Sequence, residues 1–136
     1  MSRVNLTFPH GLPGFDHEHT FTLVEDSARA PLLILESEAA GGPHFYAVPV
    51  GAIDPAYEPQ LSPDDLAALG LEQASGGLQF LALLALPENG PLTANLLAPV
   101  VVNPAARLAV QAVRMDQRYS HAHVVTRAEP GGAPCS

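Results

Sequence analysis

The sequence contains no lysine, no tryptophan and a single cysteine among its 136 residues. That cysteine, Cys135, can form neither an intrachain disulfide nor a four-cysteine zinc site, so no such crosslink is expected. No stretch approaches the roughly 18 apolar residues of a membrane span, and the first residues lack the apolar core of a signal peptide. We therefore expect a soluble intracellular domain that does not interact with membranes.

Positive charge is scarce. Six arginines stand against 14 acidic residues, which gives a formal net charge of −8 at pH 7. Because basic side chains supply most of the non-specific affinity for nucleic acid, this balance argues against direct nucleic-acid binding. An acidic surface favours encounter with a basic protein, and it serves solubility equally well. The 47 % apolar share is typical of a globular domain.

Short apolar segments separated by turns rich in proline and glycine recur along the chain. The first of them alternates Val4, Leu6 and Phe8 with polar residues, which is the period of a half-buried strand. Further strands are predicted at 20–24, 31–35, 45–48, 78–86, 92–97, 99–102 and 121–126. The pattern predicts a mainly β, single-domain antiparallel fold, either a sandwich or a small closed barrel without exposed sheet edges.

One short helix is predicted near 62–70. Ser62 is a suitable N-cap, Pro63 fits the first helical position, and Gly70 is placed to end the helix. Because a helix this short is unstable alone, we expect it to pack its leucines on a sheet.

The stretch 103–115 allows two interpretations. Local periodicity slightly favours a helix capped by Asn103, and the alternative is a strand from Arg107 to Met115. The last residues, 128–136, are rich in proline and glycine and are predicted to form a flexible tail after a domain spanning 1–127.

Two His-x-His pairs are candidate metal ligands. His17 and His19 form one pair, His121 and His123 the other, and alternate residues of a strand project from one face. The competing interpretation is surface histidine, because no third ligand stands at a diagnostic spacing. No nucleophile elbow or phosphate-binding glycine loop is present. The residues therefore predict a binding module rather than an enzyme, with no cofactor, and a small metal- or ligand-binding barrel is the alternative.

A proline-bent apolar strand is bracketed by Asn95 and Asn103. An amide at such a bend either satisfies backbone groups or meets a partner, and we favour the backbone role.

Several motifs resemble the FliW family of flagellar assembly factors. Gly-Leu-Pro-Gly-Phe-Asp at 11–16 is similar to that family's Gly-Leu-Pro-Gly-Phe-Glu signature, and the segment 95–103 resembles its Asn-Leu-x-Ala-Pro-Ile-Val-Ile-Asn motif. Weaker matches are Leu-Glu-Ser at 35–37, Phe45 with Pro49, Asp-Pro-x-Tyr at 54–57, Gln111, and Tyr119 with Ser120. Together they run from about Phe8 to His123.

The resemblance implies a compact antiparallel β-barrel-like fold, and within it a turn followed by a strand over 103–115. It also implies a cytoplasmic protein that binds flagellin before export and binds CsrA, a translational repressor of flagellin mRNA, thereby relieving repression. We hypothesise that flagellin recognition buries an apolar patch near the bend between Asn95 and Asn103. The positions taken as family-defining or partner-binding are Glu36, Tyr57, Asn95, Asn103, Gln111 and Tyr119.

The chain departs from the family pattern at three places. Glu36 stands where the family has Gln, and Ala109 where it often has Gly. His121-Ala122-His123 follows Tyr119-Ser120 in place of Arg-His. If that arginine touches a partner in the family, its replacement puts either the affinity or the partner choice of this chain in doubt.

Overall fold

A computed structural model describes residues 2–12, 18–39, 41–73 and 76–125. Within them lie nine strands, one α-helix and two 3₁₀ turns, at Ser27–Arg29 and Val50–Ala52. The strands and the helix are β1 (Ser2–Thr7), β2 (Thr20–Glu25), β3 (Leu33–Ser37), β4 (His44–Pro49), α1 (Pro63–Ala68), β5 (Gln79–Ala85), β6 (Thr93–Ala94), β7 (Val100–Asn103), β8 (Leu108–Gln111) and β9 (His123–Val124). The predicted tail 128–136, His17 and positions 13–16 of the first motif lie outside the described residues.

Seven of these strands close into a barrel. Their order is β4-β3-β2-β1-β8-β7-β5, and pairing of β5 with β4 completes the ring. Every neighbouring pair is antiparallel except β1 and β8, which meet in parallel at Thr7 and Leu108. The predicted mainly β, barrel-like fold is confirmed. Closure gives each of the seven strands a neighbour on both sides, with β1 joined to β8 only at Thr7, while β6 and β9 form a small extension beside β5.

The barrel core is filled by the inward residues of the alternating pattern. Phe8 and Phe21 lie at its centre with their ring centroids 5.2 Å apart in an edge-to-face arrangement. The core comprises Leu6, Phe8, Leu12, Phe21, Leu23, Leu33, Leu35, Ala47, Leu81, Val100, Val102 and Ala109. A chain of this size therefore stabilises its fold by apolar burial, as its composition indicates.

The predicted helix is confirmed as α1, and its start follows the expected capping chemistry. The Ser62 hydroxyl accepts from the backbone N–H of Asp65, and the Asp65 carboxylate accepts from the backbone N–H of Ser62. Gly70 follows the helix with a φ of +74°, a conformation that glycine adopts without strain. Leu69 then packs on Val101, which faces outward from the barrel. The helix therefore buries the outer face of β7.

The slight preference for a helix over 103–115 is wrong, and the strand alternative is correct for part of the stretch. β7 ends at Asn103, a turn follows in which Arg107 has a φ of +57°, and β8 runs antiparallel to β7. The apolar residues at helical spacing here serve two faces of a strand instead. Ala109 points into the barrel core, while Val110 meets the residues beneath α1. Pairing with β7 outweighs the weak local helical preference.

Candidate functional site

The bend predicted around Pro99 is a tight turn, residues 95–99, between β6 and β7; we call it the proline turn. The Asn95 side-chain oxygen accepts from the backbone N–H groups of Leu97, at 3.1 Å, and Ala98, at 2.9 Å. The interpretation of this amide as one that satisfies backbone groups at the bend is therefore confirmed. The predicted strand 92–97 is correspondingly short, because only Thr93 and Ala94 pair as a strand.

Two further predicted residues converge on the same turn from distant parts of the chain. The Tyr57 hydroxyl donates to the carbonyl of Leu96 at 2.7 Å, and the Gln111 side-chain amide donates to the carbonyl of Ala98 at 2.9 Å. These carbonyls face inward on a turn whose residues are mostly buried, and an unpaired buried carbonyl is costly. Tyr57, Asn95 and Gln111 therefore act together as the internal supports of the proline turn.

The remaining predicted positions have different surroundings. Asn103 is buried and donates to the carbonyl of Leu69 at 2.7 Å, so it fastens the end of α1 to β7. Glu36 lies on the outer face of β3, where it accepts from Arg3 at 3.0 Å in a largely exposed ion pair. Tyr119 lies beside Tyr57. The structure thus brings four of the six predicted residues into one region and leaves Glu36 and Asn103 outside it.

Tyr57 and Tyr119 form a cluster with an arginine, and we call Tyr57, Arg114 and Tyr119 the aromatic–arginine cluster. The two rings lie 4.4 Å apart between centroids with a 37° tilt. The Arg114 guanidinium lies 4.7 Å from the Tyr119 centroid and 5.4 Å from that of Tyr57. A guanidinium over aromatic rings is attracted by their negative faces, and the attraction strengthens when water is excluded. Only 3 % of the Arg114 side chain is exposed.

Hydrogen bonds fix the Arg114 side chain from two sides. Its Nε and Nη2 atoms donate to the two carboxylate oxygens of Asp116, each at 2.9 Å, and Nη1 donates to the carbonyl of Glu58. Nearby, the Tyr119 hydroxyl accepts from the backbone N–H of Glu58 at 3.2 Å. The bidentate pairing of Arg114 with Asp116 holds the loop that follows β8 in one geometry. We call residues 113–118 of that loop the presenting loop.

The charges of the cluster are matched. The hydrogen bond to Asp116 raises the pKa of Arg114 further above its already high value, while the same bond holds the pKa of Asp116 below its usual range. Burial raises the pKa of the Tyr57 hydroxyl, and Arg114 partly opposes that rise. This arrangement combines a neutral, donating Tyr57 hydroxyl with a permanent cation on Arg114 and a carboxylate on Asp116. Such a set of matched groups holds the structure in place.

Arg114 was missed by the sequence reasoning, and so was the character of its neighbours. Val113 is 54 % exposed and Met115 is 87 % exposed, so two apolar side chains point into solvent on either side of a buried arginine. The available signal was an inverted pattern, apolar–charged–apolar, in a chain with only six cations. Such an order at the end of a strand turns the charge inward and the apolar residues outward.

The histidines do not gather in the part of the chain described here. A ring nitrogen of His19 lies 2.9 Å from the carbonyl of Phe8, while His121 lies exposed just before β9 and His123 exposed within it. Within the described ranges no three His, Cys, Asp or Glu side chains are placed to hold a metal ion together. His17 falls outside those ranges. Nor does any described helix have the length and apolar character to span a membrane.

The fold and this site define a small closed-barrel protein. In it, polar residues of the sequence motifs hold one turn by hydrogen bonds, and that turn lies next to an exposed loop. Residues 2–125 match the family described as FliW protein. The chain is 31 % identical over 121 residues to the flagellar assembly factor FliW of Leptospira biflexa, covering 88 % of this chain and 78 % of the relative. It is 30 % identical over 130 residues to the protein of the same name from Desulfitobacterium hafniense strain DCB-2, covering 95 % and 86 %.

Structural comparison agrees with the sequence matches. A crystal structure of the flagellar assembly factor FliW superposes with a TM-score of 0.80 at 27 % identity, over 90 % of this chain and 86 % of the other. The chain belongs to the FliW family of flagellar assembly factors. The resemblance inferred from the motifs is confirmed.

Proposed function

We propose that this protein is a cytoplasmic, non-enzymatic regulator that binds flagellin before export and antagonises the translational repressor CsrA. These are the two partners that the family resemblance implies. While flagellin is scarce, this protein would hold CsrA. As flagellin accumulates and competes for this protein, CsrA would be released, and the flagellin level would thereby control flagellin translation.

The observation that carries the flagellin half of this proposal is the presenting loop. The bend from Asn95 to Asn103 is itself nearly all buried, so a partner cannot reach its valines without unfolding β7. Directly beside it, the backbone N–H of Arg114 donates to the carbonyl of Leu97 at 2.9 Å. Val113 and Met115 therefore stand next to the bend on a rigid base, and a rigid exposed apolar pair binds with little loss of conformational entropy.

A paired set of variants tests this role. We expect Met115→Glu to weaken binding of purified flagellin at least tenfold in isothermal titration calorimetry, because a carboxylate would be desolvated against an apolar contact. Leu86→Glu is the control, because Leu86 is 79 % exposed and follows β5, outside the presenting loop. Equal affinity of the two variants would contradict the presenting loop as the flagellin surface.

The CsrA half of the proposal is supported by charge. CsrA must be basic to hold RNA, and this chain carries a net charge of −8 with no lysine. Electrostatic attraction between them would speed association and fade as salt increases. We expect the association rate measured by surface plasmon resonance to fall steeply between low and high salt.

The regulatory consequence is tested with CsrA bound to a fluorescent RNA from a flagellin leader. Addition of this protein is expected to lower the fluorescence anisotropy as the RNA is released. Added flagellin should then restore the RNA complex by drawing this protein away. Binding to CsrA without RNA release would contradict antagonism while leaving the interaction intact.

A further inference from the structure

One end of the barrel opens into a hollow at which β1, β3 and β5 begin and β2 and β4 end; we call this end the barrel mouth. The hollow has a volume of about 290 Å³ and is lined by Leu23, Glu25, Leu33, Pro49, Gln79, Phe80 and Leu81. A second hollow of about 260 Å³ shares Glu25, Leu33 and Pro49 with it. The mouth lies apart from the proline turn and from the presenting loop, neither of which contributes a lining residue.

The lining combines an apolar floor with one charge. Leu23, Leu33 and Leu81 belong to the barrel core and form the floor. Glu25 stands exposed at the rim and lines both hollows. Among the described residues, Glu25 enters none of the ion pairs, which join Arg3 to Glu36, Arg114 to Asp116 and Arg118 to Glu58. Within the described part of the chain, the mouth therefore offers a carboxylate that forms no ion pair, next to apolar surface.

We infer that the barrel mouth receives an arginine or lysine side chain of a protein partner, with its aliphatic stem on the leucine floor and its cation on Glu25. A purely apolar group would desolvate the carboxylate without compensation, and an anion would be repelled by it. A long basic side chain satisfies both parts of the lining, since its stem is apolar and its head is charged. The net charge of −8 attracts such a partner.

The hollow is large enough to hold one long side chain. At about 290 Å³ it lies at the lower end of the range of roughly 300–1,000 Å³ that is typical of ligand and cofactor pockets. A single side chain delivered by a partner's surface needs less space than a whole ligand. This inference rests on the proposed function, because a basic partner must exist to supply the side chain.

The first test uses a small probe and needs no partner. N-acetyl-arginine amide is titrated into the protein, and the methyl NMR signals of Leu23, Leu33 and Leu81 are followed. We expect saturable shifts at these methyl groups, with affinity about tenfold lower in Glu25→Gln because a charge-assisted hydrogen bond is lost. Glu88→Gln, an exposed carboxylate beyond the opposite end of β5, is the matched control and should bind like the wild type.

Two results of the titration would overturn the inference. Absence of shifts at the leucine methyl groups would show that the mouth takes no such side chain. Equal affinity for N-acetyl-norleucine amide, which keeps an aliphatic stem without a charge, would show that Glu25 selects no cation.

The second test asks whether a partner uses the mouth. Glu25→Gln is expected to weaken binding of CsrA, the basic partner, about tenfold relative to Glu88→Gln. Equal binding by the two variants would overturn the mouth as a docking point. A wild-type protein that binds neither CsrA nor flagellin would instead overturn the proposed function, and the arginine titration would still decide the chemistry of the mouth.

Discussion

The proline turn and the presenting loop are neighbours that use their side chains in opposite ways. In the turn, the carbonyls of Leu96, Leu97, Ala98 and Pro99 all accept hydrogen bonds from other segments. Its side chains are mostly buried, and the half-buried Asn95 side chain folds back to accept hydrogen bonds from the turn's own backbone. In the loop, Val113 and Met115 point outward and contribute nothing to the core.

This contrast separates residues that carry a recognisable motif from residues that are free to meet a partner. Asn95, Tyr57 and Gln111 are polar residues in a motif, which suggests binding, yet each of them supports the turn. The exposed apolar side chains next to the turn, Val113 and Met115, belong to a loop that no motif marked. Arg114 joins the two regions, because its backbone N–H donates to the turn while its side chain fixes the loop.

The largest effect is expected from Arg114→Ala, which would break this connection. The substitution removes a buried guanidinium from two aromatic faces and leaves the Glu58 carbonyl without its donor. We expect the free energy of unfolding to fall by about 2–3 kcal/mol in urea denaturation. Arg118→Ala, which removes a largely exposed cation beside the same Tyr119, should remain close to the wild type. Similar losses in both variants would contradict the anchor role of Arg114.

Tyr57→Phe should have the next largest effect, because it acts on the turn alone. It leaves the buried carbonyl of Leu96 unpaired while keeping the ring in the aromatic–arginine cluster. We expect a loss of about 1–2 kcal/mol in the free energy of unfolding. Tyr119→Phe is the matched control, because its hydroxyl serves only an exposed backbone N–H at 3.2 Å, and it should cost clearly less. A reversed order of the two variants would show that the hydrogen bond between Glu58 and Tyr119 contributes more than the bond that holds the turn.

Much of the fold could be predicted from local sequence. Alternation in β1 and the capping residues around α1 act over a few positions, so their physics is readable in the order of residues. The stretch 103–115 was harder, because its apolar spacing fits a helix nearly as well as a strand. Only pairing of β8 with β7 decides between them, and that pairing depends on the whole barrel.

The candidate site was less accessible from sequence than the fold. Tyr57 lies far along the chain from Arg114 and Tyr119 and meets them only after the barrel closes. A resemblance could name the two tyrosines, but it could not say that their rings lie together or that a buried arginine lies over them. Likewise, no local pattern predicts that the parallel contact of β1 with β8 closes the barrel.

A smaller effect is expected at Asn95, and it separates the role of the side-chain oxygen, which accepts, from that of the side-chain NH2 group, which donates. Asn95 uses its side-chain oxygen as an acceptor for two backbone N–H groups. Asn95→Ala removes that acceptor and should lower the free energy of unfolding by about 1 kcal/mol, whereas Asn95→Asp keeps it and should stay near the wild type. If Asn95→Asp keeps its stability but loses flagellin binding in calorimetry, the amide contacts the partner and the separation of turn from loop fails.

The smallest effect concerns the charge that fixes the presenting loop. The pKa of Asp116 is lowered in the folded state, mainly by its hydrogen bond with Arg114. A carboxyl with a lowered folded pKa contributes stability above its unfolded pKa of about 3.9 and loses that contribution as the pH falls through the folded value. Asp116→Asn should therefore flatten the decline of the unfolding free energy below about pH 4, measured by urea denaturation at a series of pH values. Glu88→Gln, which removes an exposed carboxylate outside the presenting loop, controls for the general loss of one negative charge. A decline as steep in Asp116→Asn as in the wild type would mean that Arg114 is fixed by Glu58 and the tyrosine rings alone, and that the turn and the loop are joined without the carboxylate.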